Sequence, residues 1–314
     1  MPRKLSILVT GGAGYIGSVL VSNLLDAGHR VTVLDSFMFN QMSLAHLCMS
    51  SDFEIVRGDA RDQALVTRLA READVVIPLA ALVGAPLCAR DPEGAVAINR
   101  NAIVALLKTL SKDQWVLYPN TNSGYGIGQT GKACTEETPL RPISVYGRSK
   151  SEAEAAVLDF GSSVVFRLAT AFGMSPRMRT DLLVNDFVYR AVTDRSVVLF
   201  EAHFIRNYIH VRDVARAFTH ALENFPAVRG QVYNVGLSDA NLSKAELCGR
   251  ITRQIPDFHY VEAAIGEDPD KRDYIVSNAK IEATGFLPQF SLDAGIAELI
   301  KGYTMMRRTP LGNV

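Results

Sequence analysis

The stretch Leu5-Ser-Ile-Leu-Val-Thr-Gly-Gly-Ala-Gly-Tyr-Ile-Gly17 places an apolar run, a glycine turn and the opening of a helical segment in immediate succession. Nothing else in the chain restricts its fold as strongly. Gly11, Gly14 and Gly17 fit a GxxGxxG spacing, and Gly12, Gly14 and Gly17 fit GxGxxG. Glycines let the chain turn tightly and let its backbone approach a pyrophosphate, which then rests on the N–H groups and positive dipole end of the next helix. Tyr15 and Ile16 lie inside the same phosphate-binding turn. Alone the glycines are weak evidence, but a strand before them, a helix after them and Asp35 at the end of the second apolar run supply the context they need.

Asp35 would accept hydrogen bonds from ribose hydroxyls and repel a 2′-phosphate, and no Arg or Lys occurs within Ser36–Asn40 to welcome that phosphate. NAD is therefore favoured over NADP. Asp59, followed by Ala60, either accepts from the adenine amino group or caps the following helix. Leu79, Ala80 and Ala81 leave room for a cofactor across the strand ends, although small residues there also suit ordinary packing.

Short apolar runs at Leu5–Val9, Val31–Leu34, Phe53–Val56, Val75–Leu79, Trp115–Tyr118 and Val164–Leu168 alternate with helical segments such as Tyr15–Ala27 and Glu152–Phe160. This is the α/β pattern of a Rossmann-type, doubly wound parallel sheet covered on both faces. The pattern loosens after about residue 172. It predicts a nucleotide-binding domain over 1–172 plus about 201–235, and a smaller, interwoven α/β substrate-binding region over 173–200 plus about 236–314. At 314 residues and 48% hydrophobic, the chain can bury a substantial core. Its 33 basic and 33 acidic residues cancel, so no overall field recruits nucleic acid or an anionic membrane. Cys48, Cys88, Cys134 and Cys248 show no metal or redox spacing and read as free thiols, with no metal site. Neither a signal-peptide core nor a membrane span is apparent, which predicts a cytoplasmic protein. A dimer is the default for a soluble homo-oligomer.

Tyr146 and Lys150 are four apart at the start of a helical segment, so they share one face and can reach a common ligand. Tyrosine is a poor base at its free pKa of roughly 10, but a nearby ammonium and a positive nicotinamide ring would favour the phenolate. Tyr146 would then take the proton of a sugar hydroxyl while the carbon beneath gives up its hydride. Thr121, at the carboxyl end of the preceding strand, can bond the same hydroxyl.

Together with "RNYIHVRDVARAF" at 206–218, "VYNVG" at 232–236 and "KRDYIVSNAKIEATGF" at 271–286, these residues resemble the extended short-chain dehydrogenases/reductases that modify nucleotide sugars. The resemblance covers essentially the whole chain. More narrowly, "PLAALVGAPLC", "YPNTNSGYGIG", "RLATAFGMSPRMRTDLLVNDF" and "GEDPDKRDY" are similar to the GDP-D-glycero-D-manno-heptose C4 dehydrogenases of bacterial capsule biosynthesis. The resemblance implies Thr121, Tyr146 and Lys150 as the catalytic group, Arg206 on the substrate diphosphate, and Asn185 and Arg272 in segments that line the nucleotide. Members that eliminate water follow the catalytic threonine with an Asp-Glu or Ser-Glu pair. Here those places hold Asn122 and Ser123, which can bind substrate but cannot exchange a proton near neutral pH.

The implied activity is NAD-dependent oxidation of C4 of a GDP-linked sugar to the 4-keto sugar. A 4-epimerase using the same transient oxidation is the alternative, and a nucleotide-binding regulator without turnover is a third. Whether NADH leaves after each cycle or is reoxidised in place by a second substrate such as a 2-oxo acid stays open.

Overall fold

The computed structural model describes residues 3–129, 131–263 and 272–306. The 264–271 part of the motifs quoted above lies outside them. Among the described residues a seven-stranded parallel sheet forms from β1 (Ser6–Thr10), β2 (Arg30–Asp35), β3 (Phe53–Arg57), β4 (Val75–Pro78), β5 (Trp115–Thr121), β6 (Ser163–Leu168) and β7 (Gln231–Val235), in the order β7-β6-β5-β4-β1-β2-β3. All neighbouring pairs run parallel. Inner strands read as continuous β-branched runs because both faces are covered: Val31, Val33, Val75, Val76 and Ile77 are fully buried. The strand order reverses between β1 and β4, which opens a crevice beyond their carboxyl ends.

Helix Tyr15–Asp26 follows β1 and packs against helix Val211–Glu223. The segment between β5 and β6 forms helix Val145–Phe160, seven residues longer at its start than its Ala- and Glu-rich part predicts. Ser144 makes the difference, its Oγ accepting from Gly147 N–H at 3.1 Å as the N-cap. Tyr146 and Lys150 therefore occupy the first two turns.

Ile205–His210 stands outside the large sheet. It pairs in parallel with Thr170–Phe172 and antiparallel with Asn241–Ser243, and the seventh place is taken by β7. An apolar strand followed by a helix looks like one more βα unit, and only non-local pairing reveals the smaller sheet. No helix among the described residues is long and apolar enough to cross a membrane.

Candidate active site

The glycine turn is sterically obligatory. Gly11 adopts φ +72°, and a Cβ there would lie 2.5 Å from the Ala80 nitrogen; one at Gly17 would lie 2.6 Å from the Gly12 carbonyl. Gly14 begins the helix with no side chain capping it and no acidic residue in the first turn, so the first-turn N–H groups are offered to an anion. Asp35 braces the turn from β2: its Oδ2 accepts from Ala13 N–H at 3.0 Å and its Oδ1 from Phe37 N–H at 2.8 Å. A carboxylate has further lone pairs to offer ribose hydroxyls. An uncapped helix start, a backbone with no room for Cβ and an acceptor at the end of β2 together fit a dinucleotide.

These groups line one cavity of about 690 Å³, which also brings in Asp59, Ala60, Leu79, Ala80, Ala81, Thr121, Ser123, Tyr146, Lys150, Arg206 and Arg272. Asp59 is not a helix cap. Asp62 takes that role by accepting from Leu65 N–H at 3.1 Å, while Asp59 holds Arg61 through paired contacts of 2.6 to 3.1 Å.

Lys150 is 4% exposed, with Nζ 4.2 Å from the centre of the Tyr118 ring. Burial lowers its pKa to about 7 although Glu154 and Cys88 favour its charge. Burial likewise pushes Tyr146 up to about 12. Arg179, Arg272 and a hydrogen bond from Thr121 pull the other way. The cations that offset the burial of the phenol are Arg179 and Arg272, while burial works against the charge of Lys150.

Arg179 went unnoticed in the sequence. It is 9% exposed, lines the cavity and is clamped by Asp181 through Nε at 3.1 Å and through Nη2. Arg177, two residues earlier, lies 4.7 Å from the centre of the Phe39 ring at the Asp35 end of the cavity. The signal was present in "SPRMRTD", where two arginines alternate about a methionine, but isolated arginines look like surface charge.

Asn185 does not reach the cavity. It is fully buried, its Oδ1 accepting from Gly173 N–H at 3.0 Å and its Nδ2 donating to the Arg179 carbonyl at 2.8 Å and to Tyr15 Oη at 3.3 Å. Asn122 is also buried behind the wall rather than on it. The four cysteines are free, with Cys48 exposed and the others buried.

Residues 7–236 match the "NAD dependent epimerase/dehydratase family". A dTDP-glucose 4,6-dehydratase of Actinoplanes sp. is 30% identical over 96% of this chain and 99% of its own length. The low-salt glycan biosynthesis protein Agl12 of Haloferax volcanii is 29% identical over 95% and 98%. Among solved structures, the UDP-glucose 4-epimerase of Thermus thermophilus in complex with NAD superposes with a TM-score of 0.82 at 25% identity, over 95% of this chain and 99% of that one. The dTDP-glucose 4,6-dehydratase of Streptomyces venezuelae with NAD bound gives 0.84 at 25%, over 98% and 99%. With the family matched across the sheet, the glycine turn and the Tyr-Lys helix, the chain belongs to the NAD dependent epimerase/dehydratase family, the extended short-chain dehydrogenases of nucleotide-sugar metabolism, and NAD is its cofactor.

Proposed function

We propose that the protein oxidises C4 of a GDP-linked sugar, a GDP-manno-heptose by the loop resemblance, to the 4-keto sugar with its C6 oxygen retained. The observation that carries this reading is the loop after β5: Thr121 is followed by Asn122 and Ser123, so neither place next to the catalytic threonine holds an acid. Loss of hydroxide without a proton donor is slow. The cavity-lining carboxylate beside Arg179 does not replace the missing acid, because Asp181, although partly desolvated, is held below the usual carboxylate range by that arginine.

In this reading Tyr146 takes the proton of the C4 hydroxyl, Thr121 holds that hydroxyl by a hydrogen bond, and Lys150 anchors the cofactor side of the site. NAD, when bound, accepts the hydride. Arg206, 2% exposed and on the cavity wall, and Arg272 supply the fixed donors that a diphosphate needs. A 4-epimerase is the second reading, favoured by the overlap with an epimerase fold over nearly the whole chain, and it shares every step up to the 4-keto sugar. The test is product analysis by NMR on GDP- and UDP-sugars with NAD, with and without a 2-oxo acid. A 4-keto sugar or its hydrate, oxygenated at C6, is the expected product. An epimer of the substrate would select the second reading, and a 6-deoxy-4-keto sugar would overturn both.

A further inference from the structure

Arg177 is carried on the arm that follows Phe172, yet its surroundings belong to the cofactor half. Ser175 Oγ donates to the Tyr15 carbonyl at 2.7 Å, where the helix behind the glycine turn begins, and Arg177 N–H reaches Ser175 Oγ at 3.3 Å. The backbone of Arg177 is thereby pinned beside that first helical turn. Its guanidinium carbon lies 4.7 Å from the centre of the Phe39 ring, in the loop that leaves β2, and its Nη1 is held by the Met178 carbonyl. At 7% exposed, the residue is no surface charge.

The same loop belongs to Asp35. Phe39 N–H donates to Gln41 Oε1 at 3.2 Å, Gln41 Nε2 reaches Asp35 Oδ1 at 3.4 Å, and Asp35 Oδ2 accepts from Ala13 N–H in the glycine turn. Asp35, Phe39, Gln41 and Arg177 all line the cavity. A carboxylate and a guanidinium therefore frame the place where an adenosine ribose meets the end of β2. They make opposite demands on position 2′: a hydroxyl suits the carboxylate as a donor, and a phosphate suits the guanidinium. Burial and Arg179 work against the charge of Arg177, while Asp181 and Asp35 favour it. Asp181 is itself clamped by Arg179.

We propose that Arg177 is a cofactor-specificity residue, a phosphate ligand held in check by Asp35, so that removing this one carboxylate exposes a 2′-phosphate site already built into the fold. The sequence offers no Arg or Lys within Ser36–Asn40 for that phosphate. The arm supplies one from far along the chain. Cofactor choice then depends on a segment that the glycine signature does not include. The inference rests on NAD occupying the cavity and not on which sugar is oxidised, so its failure leaves the proposed reaction untouched.

Calorimetric titration of the cofactor-free protein with ADP-ribose and with 2′-phospho-ADP-ribose reads the site without turnover, and the ratio of the two affinities cancels any general loosening. In the wild type the phosphorylated probe should bind the more weakly. Asp35→Asn, which keeps a carbonyl acceptor at the turn, should shift the ratio toward the phosphorylated probe on the order of tenfold or more, the scale of one charge-assisted hydrogen bond. Adding Arg177→Met should take away on the order of tenfold of that gain. Arg57 is the control, because it pairs with Asp35 across β2 and β3 and its guanidinium carbon lies 5.6 Å from the centre of the Phe37 ring. Adding Arg57→Met instead should leave the gain within about twofold. No gain in Asp35→Asn, a gain of equal size with and without Arg177, or a gain that depends on Arg57 would overturn the proposal. Should Asp35→Asn fail to fold, Asp35→Ser carries the same comparison with the same deciding outcomes.

Discussion

Tyr146 and Lys150 carry opposite consequences of the same burial. The phenol is pushed up to about 12 and the ammonium down to about 7, so both neutral forms are favoured in a pocket with little water. Tyr146→Phe removes the proton acceptor and little else, so we expect a folded protein that retains NAD, with a rate lower by a factor on the order of 10² to 10⁴. Tryptophan fluorescence and single-turnover NADH absorbance measure the two parts separately. Lys150 makes a second, less obvious prediction. Its folded pKa of about 7 lies below the ordinary 10.5, so between these values the unfolded chain binds more protons than the folded one. The cost is therefore full below about 7 and fades as pH rises toward 10.5. Lys150→Met should abolish turnover yet raise the melting temperature of the cofactor-free protein below neutrality, the gain corresponding to roughly a few kcal/mol at about 1.4 kcal/mol per pKa unit. That gain should shrink through the window above neutrality. A calorimetric difference that does not change with pH would mean that Lys150 keeps its ordinary pKa in the fold.

Helix Val145–Phe160 holds these two residues in register by a buried ion pair one turn beyond them. Glu154 accepts from Arg167 Nη2 on β6 at 2.6 Å and from Asn120 Nδ2 on β5, and both ends of the Glu154–Arg167 pair are nearly inaccessible. Arg167 also donates to Tyr125 Oη at 3.0 Å, tying the loop after β5 to the same point. Removing one partner of such a pair leaves the other charged in the interior and costs about 3–5 kcal/mol. Glu154→Gln should accordingly lower the unfolding free energy obtained from urea denaturation by that amount, and Glu154→Gln combined with Arg167→Met should recover part of it. The βα rhythm of this domain was legible because buried parallel strands must be apolar throughout. The helix start was less so: Val-Tyr-Gly-Arg contains poor helix formers, and Ser144 as a cap decides the boundary. Strands of two or three residues, such as Ala133–Cys134 and Thr170–Phe172, left no pattern because partners far along the chain create them.

Across the whole molecule, the cofactor half and the arm at residues 173–182 meet along a buried polar seam that no local pattern could announce. Tyr15 Oη donates to the Gly173 carbonyl at 2.7 Å, Ser175 Oγ donates to the Tyr15 carbonyl at 2.7 Å, and Ser18 and Ser175 hydroxyls lie 2.9 Å apart. Their partners are more than 150 residues apart in the chain, which is why the glycine turn could be read while its coupling to Arg177 and Arg179 could not. Asn185 closes the seam, satisfying the Gly173 N–H and the Arg179 carbonyl together and touching Tyr15 Oη. Asn185→Ala strands a buried donor and a buried acceptor, each costing about 1–3 kcal/mol, and it loosens the mount of Arg179. The expected result is a lower melting temperature accompanied by weaker retention of NAD and a raised KM for the sugar nucleotide, because one residue supports both sides of the cleft. A direct ligand contact would behave differently. If Asn185→Ala raised KM while thermal stability and NAD retention were unchanged, the residue would belong on the nucleotide, as the family resemblance implied, and the seam would not depend on it.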